Sequence, residues 1–96
     1  MKQPCVYIMS NRRHGTLYVG VTSQLAARVW QHKNGVMQGF TSKYRLYQLV
    51  WYERHESMAA AIEREKQLKA GSRQRKIELI EALNPAWEDL YERVLG

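Results

Sequence analysis

The chain has 96 residues, 45% hydrophobic and 25% charged, with 15 Lys plus Arg against 9 Asp plus Glu for a net charge of +6. This balance fits one globular domain over residues 1–96 and argues against disorder, and a single cysteine, Cys5, excludes both an intrachain disulfide and a zinc site of the finger type. The excess of positive charge favours a polyanionic partner, nucleic acid first among them, against the alternative of plain solubility charge. No run approaches the roughly 20 apolar residues that cross a bilayer, and no long apolar run follows Lys2. The expectation is a soluble cytoplasmic protein with no signal peptide and no membrane partner.

Cys5 to Ser10 and Leu17 to Val21 are short apolar runs separated by the polar stretch Asn11–Gly15. That pattern predicts a β-hairpin. Ser23 offers an N-cap and Gly35 a stop, which predicts a first helix over Gln24–Asn34. Tyr47 to Glu53 is rich in strand formers and reads as a third strand. Ser57 caps a second helix that runs to Ala70 before Gly71, and Ser72 opens a basic helix from Arg73 to Leu83. Asn84-Pro85 interrupts the pattern and starts a short last helix, with Pro85 in its first turn. Strands and helices do not alternate strictly, so the expected fold is α+β: a small three-stranded antiparallel sheet flanked by helices.

Side chains alternate along a strand. If Val6, Ile8, Leu17, Val19 and Val21 face a core, Tyr7 and Tyr18 emerge together on the other face, with Gly20 leaving room for a ligand or another backbone. The competing reading is a pair of tyrosines stacked across a hairpin. On the first helix Leu25, Ala26, Val29 and Trp30 make the apolar side, and Arg28 and His32 stand one turn apart at its edge. An anion such as a phosphate between them would explain the pair; a solvated helix edge would too. On the second helix Met58, Ala61, Ile62 and Leu68 define a buried face, with Glu65 near its middle and Glu63 off to the side. A carboxylate so placed needs an arginine partner or a divalent metal.

Taken together these residues resemble the GIY-YIG nuclease family. The first signature reads Cys5-Val6-Tyr7 and the second Tyr18-Val19-Gly20, followed by Arg28, His32 and Glu65 in order. Cys5 stands where the name motif has Gly, and Val6 and Val19 stand where it has Ile. The Phe40-Thr41 to Tyr44 segment, the Glu65-Lys66-Gln67-Leu68-Lys69 run and the Asn84-Pro85 break look like the small standalone branch of that family. The resemblance implies a metal-dependent DNA endonuclease with Tyr7, Tyr18, Arg28, His32 and Glu65 as catalytic residues. Glu65 would bind Mg²⁺ or Mn²⁺, Arg28 would fork onto a phosphate oxygen, and Tyr7 would serve as base for the attacking water, assisted by Tyr18 or His32. Asn84 is a candidate for the family's further polar residue near the metal.

Arg12, Arg13, Lys66, Lys69, Arg73, Arg75 and Lys76 are candidate phosphate contacts. Phe40 and Tyr44 could stack on unpaired bases, which would suit single-stranded or branched DNA, or could be core. The expected partner is therefore DNA, with DNA repair, restriction and handling of incoming DNA all open as its setting, and with the chain a monomer or weak homodimer. Competing classes are a nucleic-acid-binding module without catalysis, an RNA-directed protein, and a protein-interaction domain presenting Trp87 and Tyr91, for which packing on the core is the simpler role.

Overall fold

The computed structural model describes residues 2–36, 39 and 43–96. Strand β1 spans Cys5–Ser10, β2 Leu17–Thr22 and β3 Gln48–Arg54. They form an antiparallel sheet in the order β2-β1-β3, so β1 is central and both neighbours are edges. Helix α1 spans Leu25–Lys33, α2 Met58–Ala70, α3 Arg73–Leu83 and α4 Tyr91–Leu95. The fold is α+β, as the sequence predicts.

Alternation along β1 and β2 sorts the side chains onto two faces, and both faces are covered. Val6, Ile8 and Val19 pack with Ala61 and Leu68 of α2 and Ile77 and Ile80 of α3. On the opposite face Tyr7 and Met9 pack with Leu25 and Val29 of α1 and with Leu46, Leu49 and Leu90. Tyr7 therefore does not emerge; it is fully buried. Two residues in a row on β3, Val50 and Trp51, share the α2–α3 side. A register irregularity makes that possible: Ile8 pairs with Trp51 but Met9 pairs with Leu49. The extra residue is the signature of a β-bulge, which re-aims the side chains on either side of it.

Local capping chemistry sets the starts of α2 and α3. The hydroxyls of Ser57 and Ser72 accept the amides of Ala60 and Arg75, both at 3.1 Å, and start α2 and α3 as expected. Helix α1 differs. Its N-cap is Gln24 rather than Ser23 and has no side-chain cap, while Thr22 Oγ1 accepts the Gln24 amide at 3.0 Å. The buried stripe of α1 is Leu25, Val29 and His32, and Trp30, expected on the apolar side, is 50% exposed. On α2 only Ala61 and Leu68 are buried, and Met58 and Ile62 are 37% and 38% exposed.

The chain after α3 also departs from expectation. Asn84 is buried and its side chain brackets a turn: Nδ2 donates to the carbonyls of Val50 (3.1 Å) and Glu88 (2.8 Å), and Oδ1 accepts the Glu88 amide (3.0 Å). Trp87 is drawn into a left-handed backbone with φ 57, a costly conformation for a bulky residue. Its ring is paid back by a stack on His14 at 5.0 Å and an indole bond to Glu81 at 2.9 Å. No helix can continue through that turn, so the last helix starts at Tyr91 and Pro85 lies outside it. Among the described residues no helix is long and apolar enough to cross a membrane.

Candidate active site

The hairpin register places Tyr7 opposite Gly20 and Met9 opposite Tyr18. Tyr7 and Tyr18 thus stand diagonally on one face, with ring centroids 6.3 Å apart. Gly20 makes that arrangement possible, because a Cβ there would fall 2.5 Å from the Tyr7 Cζ and Oη. The space left by Gly20 is filled by the Tyr7 ring; it is not an opening for a ligand.

His32 completes a triangle of rings. It lies on the buried stripe of α1 and is 2% exposed, with its centroid 5.7 Å from both tyrosines. Its Nε2 is 3.0 Å from the Tyr7 hydroxyl, and its Nδ1 is buried without a hydrogen-bond partner. The solvated-edge reading of the Arg28–His32 pair does not hold for His32, which is buried against the sheet, while Arg28 stays at the helix edge and hydrogen-bonds to Tyr7. Burial, then the charge of Arg28, push the imidazole down to about 4. Burial also holds the Tyr7 phenol well above the ordinary tyrosine range. Tyr18 and Glu65 add to that, while the charge and hydrogen bond of Arg28 oppose it.

Arg28 is half-buried, and among the described residues it makes no ion pair with a carboxylate. It lines a cavity of about 350 Å³ at the free edge of β2, where α1 from one face of the sheet meets the start of α2 from the other. Val21, Thr22, Gln31 and Met58 share that lining. A guanidinium in such a place can fork onto a phosphate. A second cavity, of about 570 Å³ and lined by Lys2, Cys5, Leu25 and Arg54, adjoins it across Ser23, Gln24 and Ala27.

Glu65 sits at the border of the α2 buried face, not at its middle, and is 15% exposed. Its partner is Lys69 at 3.3 Å, one turn along the helix, instead of the arginine that the sequence suggests. Among the described residues no three His, Cys, Asp or Glu side chains form a ligand group. A single carboxylate with partial access to water does fit Mg²⁺ or Mn²⁺, hard ions that keep several waters and lean on substrate phosphates. It does not fit a zinc cage. Asn84 does not join: all three of its side-chain bonds go to backbone.

The candidate phosphate contacts divide. Arg12 and Arg13 are exposed on the hairpin loop, and Lys66 and Arg75 are exposed on α2 and α3. Arg73 has a structural duty, its Nη2 donating to the carbonyls of His14 and Gly15, both at 2.7 Å, which ties the hairpin loop to α3. Lys76 caps α2 through the Gly71 carbonyl at 2.9 Å, and Lys69 holds Glu65. Phe40 lies outside the described residues. Tyr44 is 41% exposed, so it is not core. Trp87 is buried and Tyr91 half-buried, which favours the packing role for that pair. Sequence reasoning missed a clamp between α2 and β3, in which Glu53 Oε1 binds Arg64 Nε at 3.0 Å and His55 Nε2 at 2.8 Å. Only an acid on a strand end and a base on a helix hint at it.

Comparison with known proteins agrees with this geometry. Residues 3–78 match the GIY-YIG catalytic domain. The chain belongs to the GIY-YIG family, a family of nucleases. Its relatives include a UPF0213 protein of Staphylococcus saprophyticus, 34% identical over 83% of this chain and 96% of the relative. A UPF0213 protein of Staphylococcus epidermidis is 33% identical over 84% of this chain and 98% of its own length. The solution NMR structure of a UPF0213 protein of Bacillus halodurans superposes with a TM-score of 0.56 at 25% identity, covering 91% of this chain and 92% of the other.

Proposed function

We propose that this chain is a divalent-metal-dependent endonuclease, a single domain that hydrolyses phosphodiester bonds in single-stranded or structured DNA with little sequence specificity. The observation that carries the reading is the convergence of Arg28, without a carboxylate partner, on the buried Tyr7–His32 pair, with Glu65 close enough for its charge to bear on the Tyr7 phenol. The net charge of +6 supports a nucleic-acid substrate. Phosphate-directed cations hold a strand without reading its bases, hence the low sequence specificity.

Glu65 is the residue that would hold Mg²⁺ or Mn²⁺, and such an ion supplies charge stabilisation to the phosphate and the leaving oxygen. The chain's own groups do the rest. Arg28 binds a nonbridging phosphate oxygen and stabilises charge in the transition state. Tyr7 accepts a proton from the attacking water on Oη while its own proton passes to His32 Nε2, 3.0 Å away. A relay of this kind avoids a free Tyr7 phenolate, which burial disfavours. It needs His32 neutral, and an imidazole titrating at about 4 is neutral at physiological pH. A phosphate on Arg28 offsets the second cause of that depression, so His32 becomes a better acceptor once substrate is bound. Tyr18 closes the ring triangle and keeps both partners in place.

The test is a cleavage panel of labelled single-stranded, duplex, flapped and branched DNA, with one RNA, in Mg²⁺ or Mn²⁺. The expected result is metal-dependent cutting of DNA that falls about a hundredfold or more in Glu65→Gln and Arg28→Ala, both remaining folded. Binding without cutting under any condition would replace this reading with a non-catalytic nucleic-acid-binding module.

A further inference from the structure

Trp30 stands on the same helix as Arg28 and is half exposed, unlike Trp51 and Trp87, which are buried. Small residues surround it. Ala26 and Ala27 leave an open cavity of about 380 Å³ that Trp30, Gln31 and Tyr91 complete. Ala27 and Gln31 also line the Arg28 cavity, so the two recesses share a wall on the outer surface of α1. An indole half in water and bordered by methyl groups offers an aromatic face whose recess adjoins, across Ala27 and Gln31, the cavity of Arg28, which makes no ion pair with a carboxylate among the described residues. Among the described residues Trp30 belongs to neither core cluster.

We infer that Trp30 is a stacking platform for an unpaired base of the nucleotide next to the phosphate held by Arg28, and that it directs the site to single-stranded DNA. The inference rests on the nuclease reading for the role of Arg28. Its physical basis is general: every base has a π-face that an indole can cover, and bases of a single strand are free to leave the stack. In a duplex the same base must first be unstacked and unpaired, which costs a few kcal/mol. Single strands therefore gain from Trp30 and duplexes do not. Continuity with the Arg28 cavity and the net positive charge favour this occupant over a second copy of the chain.

The experiment measures binding of one mixed-sequence oligonucleotide, single-stranded or annealed to its complement, to the whole chain with a chelator present, so that cleavage plays no part. Tryptophan emission serves as the second readout, since Trp30 is the exposed indole. Single-stranded DNA is expected to quench that emission. Trp30→Ala should lose the quench and bind the single strand about 5- to 150-fold more weakly, Trp30→Phe should recover most of the affinity, and duplex binding should change less than about twofold in either variant. Single-strand affinity unchanged in Trp30→Ala would overturn the inference. So would an equal loss on duplex, which indicates general damage, or Trp30 emission that shifts with protein concentration in the absence of DNA, which indicates self-association. Failure of the nuclease reading shows separately, as a chain that binds in this way yet cuts nothing when metal is added.

Discussion

Gly20→Ala is the sharpest test of how the hairpin builds the site. The added Cβ would lie 2.5 Å from the Tyr7 Cζ and Oη and 2.8 Å from Cε1, about 0.9 Å short of an ordinary 3.4 Å contact at the closest atoms. A flexible side chain would swing away. The Tyr7 ring cannot, because it is rigid and fully buried among β1, α1 and Leu46. Relief therefore requires the ring and its neighbours to shift by most of an ångström, an overpacking cost of about 1–3 kcal/mol. For a domain of this size that is a fall in Tm of roughly 4–8 °C per kcal/mol. The same shift pulls the Tyr7 hydroxyl off His32 Nε2, now at 3.0 Å, and a misplacement of about 1 Å at a reacting group can cost on the order of a hundredfold in rate. Thermal unfolding followed by circular dichroism, with single-turnover cleavage below the transition, measures both effects. Tyr7→Phe in the Gly20→Ala background separates them: the rate should fall little further, since the hydroxyl is already displaced. A Gly20→Ala protein with wild-type Tm and wild-type rate would refute the close-packing argument.

Two further predictions follow from buried polar groups. His32 titrates at about 4 in the folded chain against 6.5 when free, so between those values the unfolded chain takes up a proton that the folded chain refuses. Stability should be unaffected by this group above pH 6.5 and should fall as pH drops toward 4, by up to about 3 kcal/mol. Urea midpoints across that window should slope less in His32→Gln than in the parent, and parallel slopes would count against the buried neutral imidazole. Asn84→Ala leaves the Val50 and Glu88 carbonyls and the Glu88 amide without their partners. It should cost about 2–4 kcal/mol yet leave the rate per folded molecule intact. Lost metal-dependent cutting at unchanged Tm would instead return Asn84 to the metal site.

Where a local rule governs, the sequence was legible. Ser57 and Ser72 cap α2 and α3 because a hydroxyl before a helical run meets the first free amides whatever surrounds it. The hairpin followed from two apolar runs around a polar turn. Its alternation put Tyr7 and Tyr18 on one face, and a register that pairs Tyr7 with Gly20 kept them there. The last helix was misread because Pro85 after Asn84 satisfies the local rule for a helix start, while the Asn84 amide reaches across to Val50 on β3 and holds the turn in another shape. Nothing near Asn84 in sequence announces that partner.

The sequence by itself determined the two-sided hairpin, the starts of α2 and α3 and the order of Tyr7, Tyr18, Arg28, His32 and Glu65, because periodicity and capping are properties of neighbours along the chain. Tertiary structure alone decided what covers each face. It sank Tyr7 and His32 against one another, left Trp30 in water although it lies one residue from buried Val29, and turned Val50 and Trp51 to the same side through a bulge. It also set a cavity at the free edge of β2, lined by α1 and by Met58 at the start of α2. Burial depends on which distant element packs overhead, and an environment that moves an imidazole to about 4 exists only once that packing is complete.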